Sequence, residues 1–297
     1  FLSGSVLMAN TYYVAPPTAT PAGNDSNPGT KDKPWATWGK AFNATEVQPG
    51  DTVYFRGGVY MKDISEGPSN WYYPLRDGQN GSGYAITRDG TITDTVVYSA
   101  YPGEVPILDC SEASPIYHLI YGIRAPNVNY VKFYGLHIRN LRQRDSSVER
   151  VIGWYISGDN NVIENCTIYN IDGWGLDIGG GTGTNHYIIN CDVHHCCDSL
   201  SAELPGNDGL GFRHTHGGNV YYRYCRAWLC GDQGFSNGTN VSEASTQYTE
   251  YEGCWAFRNG MMEGGGSGFK MGWLDYTDGN LKRTYKNCIA AYNRWNG

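Results

Sequence analysis

One five-residue word recurs five times, and no repeat carries a ten-residue helical period. The 297 residues also hold 40 Gly, 24 Tyr, 9 Trp and 8 Phe, with only 17% charged residues. Together these observations predict an all-β solenoid: a parallel β-helix with a small N-terminal cap that contains one short helix. Helical bundles need Ala, Leu, Glu and Lys in quantity, which this chain lacks. A formal net charge of −7 argues against a nucleic-acid partner, and no apolar run is long enough to span a bilayer.

Residues 1–10 read as a leader remnant or a tag ahead of one domain over 11–297. The cap covers about 11–60. Thr11-Tyr12-Tyr13-Val14 alternates like a strand, and Asn24-Asp25-Ser26-Asn27-Pro28-Gly29-Thr30 is a dense turn cluster. The spacing predicts a helix over 35–44, ended by Pro49-Gly50-Asp51, then a strand at Thr52-Val53-Tyr54-Phe55. A short amphipathic helix suits the closing of an open core end.

From about residue 100 the repeat begins. Its word is Asn165-Cys166-Thr167-Ile168-Tyr169, Asn190-Cys191-Asp192-Val193-His194, Tyr224-Cys225-Arg226-Ala227-Trp228, Gly253-Cys254-Trp255-Ala256-Phe257 and Asn287-Cys288-Ile289-Ala290-Ala291. Tyr134-Gly135-Leu136-His137-Ile138 reads as an earlier copy with Gly in the Cys place. The steps between the Cys residues are 25, 34, 29 and 34, so a constant unit carries loops of variable length. Five residues after the Cys or Gly stands Asn140, Cys196, Cys230, Asn259 or Asn293, while the Cys166 copy places Asn170 one residue early. Stacked Asn side chains can join neighbouring coils at a tight bend. The nine Cys include no close CxxC pair, and the repeated ones read as small inward hydrophobes.

A second word precedes the Cys strands: Gly173-Trp174-Gly175-Leu176-Asp177, Gly209-Leu210-Gly211-Phe212-Arg213, Asp232-Gln233-Gly234-Phe235-Ser236 and Gly266-Ser267-Gly268-Phe269-Lys270. Strand alternation puts the Leu or Phe inside and Asp177, Arg213, Ser236 and Lys270 outside, in one column about 4.8 Å per coil. Loops 197–207, 236–248 and 261–267 lie at the end of this face, where binding sites usually sit. Lys270 can serve as a base if a neighbouring cation such as Arg213, or partial burial, favours its neutral form; a solvated surface lysine is the alternative. Asp208 and Asp232, 24 residues apart, fall at one edge of the sheet, where they either hold Ca²⁺ or simply form turns. His214 and His216 stand two apart on one strand and read as groove polarity, with metal binding the alternative. Arg139, Arg142, Arg144 and Arg226 would add local positive charge. Trp154, Trp174, Trp228 and Trp273 are either sugar-stacking surfaces or core.

The same residues carry a resemblance. Tyr12-Tyr13-Val14, the Asn24–Thr30 cluster, Pro34-Trp35-Ala36-Thr37, Pro49-Gly50-Asp51-Thr52-Val53-Tyr54-Phe55-Arg56-Gly57-Gly58-Val59-Tyr60, Asn207-Asp208-Gly209, Gly231-Asp232-Gln233-Gly234-Phe235 and Gly268-Phe269-Lys270-Met271-Gly272 resemble family-nine polysaccharide lyases over nearly the whole chain. The resemblance implies a right-handed parallel β-helix, Lys270 as the Brønsted base, and Ca²⁺ held by Asp208 and Asp232. Gln233 and Ser236 stand where the pectate-cleaving members have carboxylates. Gln233 is kept with the metal candidates and Ser236 with Asp177, His214, His216, Arg139 and Trp273 as substrate-binding candidates.

The implied reaction is β-elimination on a uronate of a pectic polysaccharide, with rhamnogalacturonan I favoured. Lys270 takes the C5 proton while Ca²⁺ or Arg213 neutralises the adjacent carboxylate. The implied partner is an acidic plant-type polysaccharide, and the implied location is outside the cytoplasm. The competing readings are a glycoside hydrolase using Asp177 with Asp208, and a carbohydrate-binding adhesin without catalysis. Asn293-Arg294-Trp295-Asn296-Gly297 shows no recognisable C-terminal cap, so the last coil reads as one that continues or is covered by another chain.

Overall fold

A computed structural model of the protein describes residues 9–62, 73–74, 80–113, 119–143, 150–179, 185–200, 209–215, 218–238, 247–260, 265–270 and 281–295. Among these, the strands fall into three sheets of nine, eight and eight, and successive strands of each sheet come from successive coils. One coil shows the plan: Arg150–Asp159 lies in the third sheet, Val162–Glu164 in the first and Thr167–Ile171 in the second. The strand pairs are parallel except Tyr73–Pro74 with Asn80–Ala85. The chain is thus a parallel β-helix. Among the described residues no helix is long and apolar enough to cross a membrane.

The coil turns between sheets at residues with positive φ. Gly135, Asn165, Asn190, Tyr224, Gly253 and Asn287 share one corner, at φ 68, 55, 49, 56, 62 and 52°. Asn tolerates this left-handed region and Gly enters it freely, which explains why the word begins with them. The corner side chains then join coil to coil: Asn190 Nδ2 donates to Asn165 Oδ1 at 2.7 Å. At the other end of the second sheet Asn259 Nδ2 donates to Asn293 Oδ1 at 3.0 Å.

The pairing corrects one alignment. His137 pairs with Thr167, so Leu136, not Gly135, occupies the Cys column, and Gly135 sits in the corner with Asn165. Asn140 and Asn170 then share the far corner, with φ of 61° and 55°, and Asn170 Nδ2 donates to Asn140 Oδ1 at 3.2 Å. Asn140 and Asn170 thus stand together at the corner, one residue before the column of Cys196, Cys230, Asn259 and Asn293, where Ile171 pairs with Cys196. Cys166, Cys191, Cys225 and Cys254 point into the core. All nine Cys are free thiols.

The core is built from stacked columns of like side chains. Phe212, Phe235 and Phe269 stack with centroids 4.8 Å apart, and the facing Tyr222, Tyr251 and Tyr285 stack on one another at 4.9 Å. Burying each such ring contributes about 2 kcal/mol, so these ladders hold the coil spacing behind the third sheet. At the N-terminal end the helix runs Trp38–Asn43, later than the expected 35–44. Thr37 caps it by accepting from the Lys40 N–H at 3.0 Å. Trp35 instead bridges Val14 as extended backbone. Trp38 and Phe42 close the core against Phe55 and Tyr98, with centroids 4.7 and 5.1 Å apart.

Candidate active site on the third sheet

Strand pairing places Asp177 opposite Arg213, Arg213 opposite Ser236 and Ser236 opposite Lys270. Leu176, Phe212 and Phe235 beside them are buried in the core, so these four project from the outer face. The column continues backwards to Tyr155 and Arg124. Neither is among the residues singled out from sequence, although each ends a copy of the same word, Gly122-Ile123-Arg124 and Gly153-Trp154-Tyr155. Outward placement does not mean solvation: Asp177 is 3% exposed and Ser236 7%, whereas Arg213 and Lys270 are half-buried.

Arg213 is contacted by a carboxylate and by a ring. Its Nη1 donates to Asp177 Oδ1 at 3.3 Å, and its guanidinium lies 3.7 Å from the centroid of the Trp174 ring. Trp174 belongs to an apolar outer ladder with Tyr121, Ile152 and Leu210. That ladder is the seat over which the guanidinium lies, and a planar guanidinium can stack on such a ring as an ammonium cannot. Arg124 sits similarly over Tyr121, at 5.6 Å.

At the edge of the sheet Asp232 Oδ1 accepts from the Gly266 N–H at 3.1 Å and Oδ2 from Gln233 Nε2 at 2.5 Å. Burial pushes the Asp232 carboxyl above its ordinary value, opposed by the Gly266 N–H and by the charge of Lys270. Gln233 is buried and its Oε1 has no hydrogen-bond partner. An orphaned buried oxygen beside a carboxylate is what a cation ligand looks like before the cation arrives. The donor set therefore fits a cation, with one charged and one neutral oxygen ligand. Among the described residues no three His, Cys, Asp or Glu side chains converge on a metal position. Asp208 lies outside the described residues, as do His216 and Trp273.

Two expected groove residues are elsewhere. His214 is fully buried, with Nδ1 2.9 Å from Thr249 Oγ1. Arg213 next to it points out, so alternation turns His214 into the coil. Arg139 belongs to the second sheet, where it donates to Asp109 Oδ2 at 2.6 Å. Arg142 pairs with Asp172 and Arg226 with Asp192, both away from the column. Arg144 lies outside the described residues. Of the tryptophans, Trp154 is core, Trp228 is on the second sheet stacked on His194 at 4.3 Å, and Trp174 carries Arg213. The sequence reading also passed over Asn237, whose inward amide reaches the Lys270 carbonyl. Its signal was a polar residue at an inward strand position.

Residues 12–297 match the family described as the Pel9A-like, right handed beta helix region. The chain is 26% identical to pectate lyase L of Dickeya dadantii, over 91% of this chain and 57% of the relative. It is likewise 26% identical to pectate lyase PEL9 of Emericella nidulans, over 99% of this chain and 70% of the relative. The chain thus spans about 57% of the length of the Dickeya protein it matches. Among solved structures, pectate lyase Pel9A superposes with a TM-score of 0.69 at 23% identity, covering 97% of this chain and 65% of that one. A rhamnogalacturonan lyase gives 0.66 at 23% identity, covering 96% and 69%. At these identities the two structures bear on the fold.

Proposed function

The chain belongs to the family of Pel9A-like right-handed β-helices, and from that premise we propose that it is a polysaccharide lyase acting on a uronate-containing pectic chain outside the cytoplasm. The observation that carries this reading is the order Arg213, Ser236, Lys270 on adjacent coils. Two long cationic side chains stand two coil steps apart, roughly 10 Å, with a short serine between them. The gap accepts a sugar ring, one cation meeting its carboxylate and the other reaching its C5 hydrogen. Names of relatives add support, since those compared include pectate lyases and a rhamnogalacturonan lyase.

In the proposed reaction neutral Lys270 removes the C5 proton of the uronate. The electron pair moves to form the C4–C5 double bond as the glycosidic oxygen leaves C4. The leaving oxygen takes a proton from water to become the hydroxyl of the new chain end, the other product is the unsaturated uronate, and the C5 proton on Lys270 is released to solvent afterwards. Arg213, lying over Trp174, pairs with the substrate carboxylate and lowers the cost of the charge that builds there. Asp177 orients Arg213 and shares it with the substrate. Asp232 and Gln233, with Asp208, would hold Ca²⁺, which when bound supplies further positive charge at the carboxylate. With an amide and a hydroxyl at Gln233 and Ser236 in place of acids, this cation is held weakly and Arg213 carries most of the neutralisation. The same replacement supports rhamnogalacturonan I over homogalacturonan as substrate.

The test is ultraviolet absorbance of the unsaturated product on rhamnogalacturonan I and on polygalacturonate. A faster rise on rhamnogalacturonan I is expected. New reducing ends without that absorbance mean hydrolysis, and binding with no cleavage means an adhesin; either overturns the reading.

A further inference from the structure

We propose that Asn237 is a positioning residue for Lys270, holding from inside the coil the stretch of main chain that carries the base. The inference rests on the reading of Lys270 as the base and adds a residue that touches no substrate. Phe269–Lys270 is a two-residue strand, paired to Phe235–Asn237 through Phe235 with Phe269 and Ser236 with Lys270. Beside the ladder between these strands, the Lys270 carbonyl receives a further bond from inside the coil. Asn237 Nδ2 donates to this carbonyl at 3.3 Å and to the Tyr251 hydroxyl at 3.0 Å. Its Oδ1 accepts from Thr249 Oγ1 at 3.0 Å, and Thr249 Oγ1 also meets His214 Nδ1 at 2.9 Å.

Every polar site of the amide is therefore engaged. Asn237, Thr249, Tyr251 and His214 are all buried. An inward amide among stacked aromatic rings is costly unless each of its atoms is used, and here rotation of the amide would break three bonds at once. Tyr251 is itself fixed between Tyr222 and Tyr285, each 4.9 Å away. The residue before the base is fixed too, with Phe269 stacked 4.8 Å from Phe235. Lys270 thus projects outward from a backbone clamped on both sides, by a ring before it and by an amide at its own carbonyl. A base displaced by about 1 Å loses rate on the order of 100-fold, while groups that only bind the sugar are unaffected.

The test compares steady-state kinetics of Asn237→Ala, Thr249→Val and Lys270→Ala on the better of the two pectic substrates, each variant first checked for a native circular-dichroism spectrum. Asn237→Ala should lower kcat on the order of 10- to 100-fold with KM within about threefold. Thr249→Val keeps the side-chain shape and removes the hydroxyl that Asn237 Oδ1 and His214 Nδ1 share, so it should lower kcat by about 3- to 10-fold with the same unchanged KM. A purely structural role would lower the unfolding midpoint and leave the kcat of the folded protein unchanged. Native-like kcat in folded Asn237→Ala, with Lys270→Ala inactive, overturns the inference alone. If Asn237→Ala does not fold, native-like kcat in Thr249→Val overturns it. An active Lys270→Ala overturns the assignment of the base, and with it this role of Asn237.

Discussion

Arg213 donates to Asp177 across one coil step, with Nη1 3.3 Å from Oδ1 and 3.4 Å from Oδ2, while its guanidinium rests 3.7 Å from the Trp174 ring centroid. The pair is loose for an Arg–carboxylate contact and the stacking is close. Arg213 is held in place mainly by the ring beneath it, which leaves its donors available to a second carboxylate.

Replacing Arg213 should therefore cost more than removing metal. Arg213→Ala is expected to lower kcat/KM on the order of 100- to 1000-fold, as loss of a preorganised charge stabiliser does. Dialysis against a chelator should cost less than a tenth of that. Equal losses from the two treatments would sink the assignment of Arg213 as principal neutraliser. Arg213→Lys should not restore activity, because an ammonium neither stacks on Trp174 nor presents a planar fork.

Lys270→Arg should be inactive while still binding the polysaccharide. A guanidinium stays protonated at any pH the fold tolerates, so it keeps the charge and loses the base. Affinity electrophoresis on the substrate and product absorbance read the two properties separately. Retained turnover in this variant would exclude Lys270 as the proton acceptor.

Trp174→Ala should destabilise the protein by about 3 to 5 kcal/mol in urea unfolding, the usual cost of deleting a buried aromatic ring. It removes one member of the Tyr121, Ile152, Trp174, Leu210 ladder and the seat of Arg213 together. Trp174→Phe should recover more than half of the stability and part of the activity. A loss of activity in Trp174→Ala without loss of stability would mean that the ladder is not packing.

His186 should make the fold acid-sensitive. Burial pushes its imidazole down to about 4 from 6.5. The unfolded chain takes up this proton as pH falls through about 6.5, whereas the folded chain resists until about 4. Stability is therefore intact above the higher value and falls by about 3 kcal/mol as pH drops to the lower one. Urea unfolding at about pH 7 and about pH 4 should show the loss, with a flatter dependence in His186→Gln. An unchanged slope in that variant would place the acid sensitivity on other groups.

How far each residue could be read from the sequence follows its range of interaction. The word Asn-Cys spans a corner and the strand after it, the word Gly-Phe-Lys a strand and its entry, and alternation within them determined that Phe269 faces the core and Lys270 the outer face. Because the coils stack in register, aligning the words was enough to bring Asp177, Arg213, Ser236 and Lys270 into one column. The copy at Gly135 was misaligned because a Gly was matched to Cys, when what matters at that place is a backbone able to take φ near +60°.

The sequence by itself thus determined the solenoid, the inward thiols, and the column of Asp177, Arg213, Ser236 and Lys270, since all of these repeat from coil to coil. The tertiary structure decided the rest. It sent Arg139 to another sheet, where it is held by Asp109, and turned His214 inward onto Thr249. It laid Arg213 on Trp174 and spent both oxygens of Asp232 on Gly266 and Gln233. It tied Asn237 to the carbonyl of Lys270. The reason is physical: a strand's own alternation sets which way a side chain faces, but its partner comes from the neighbouring coil, some 25 to 40 residues away across loops whose lengths no local pattern prescribes.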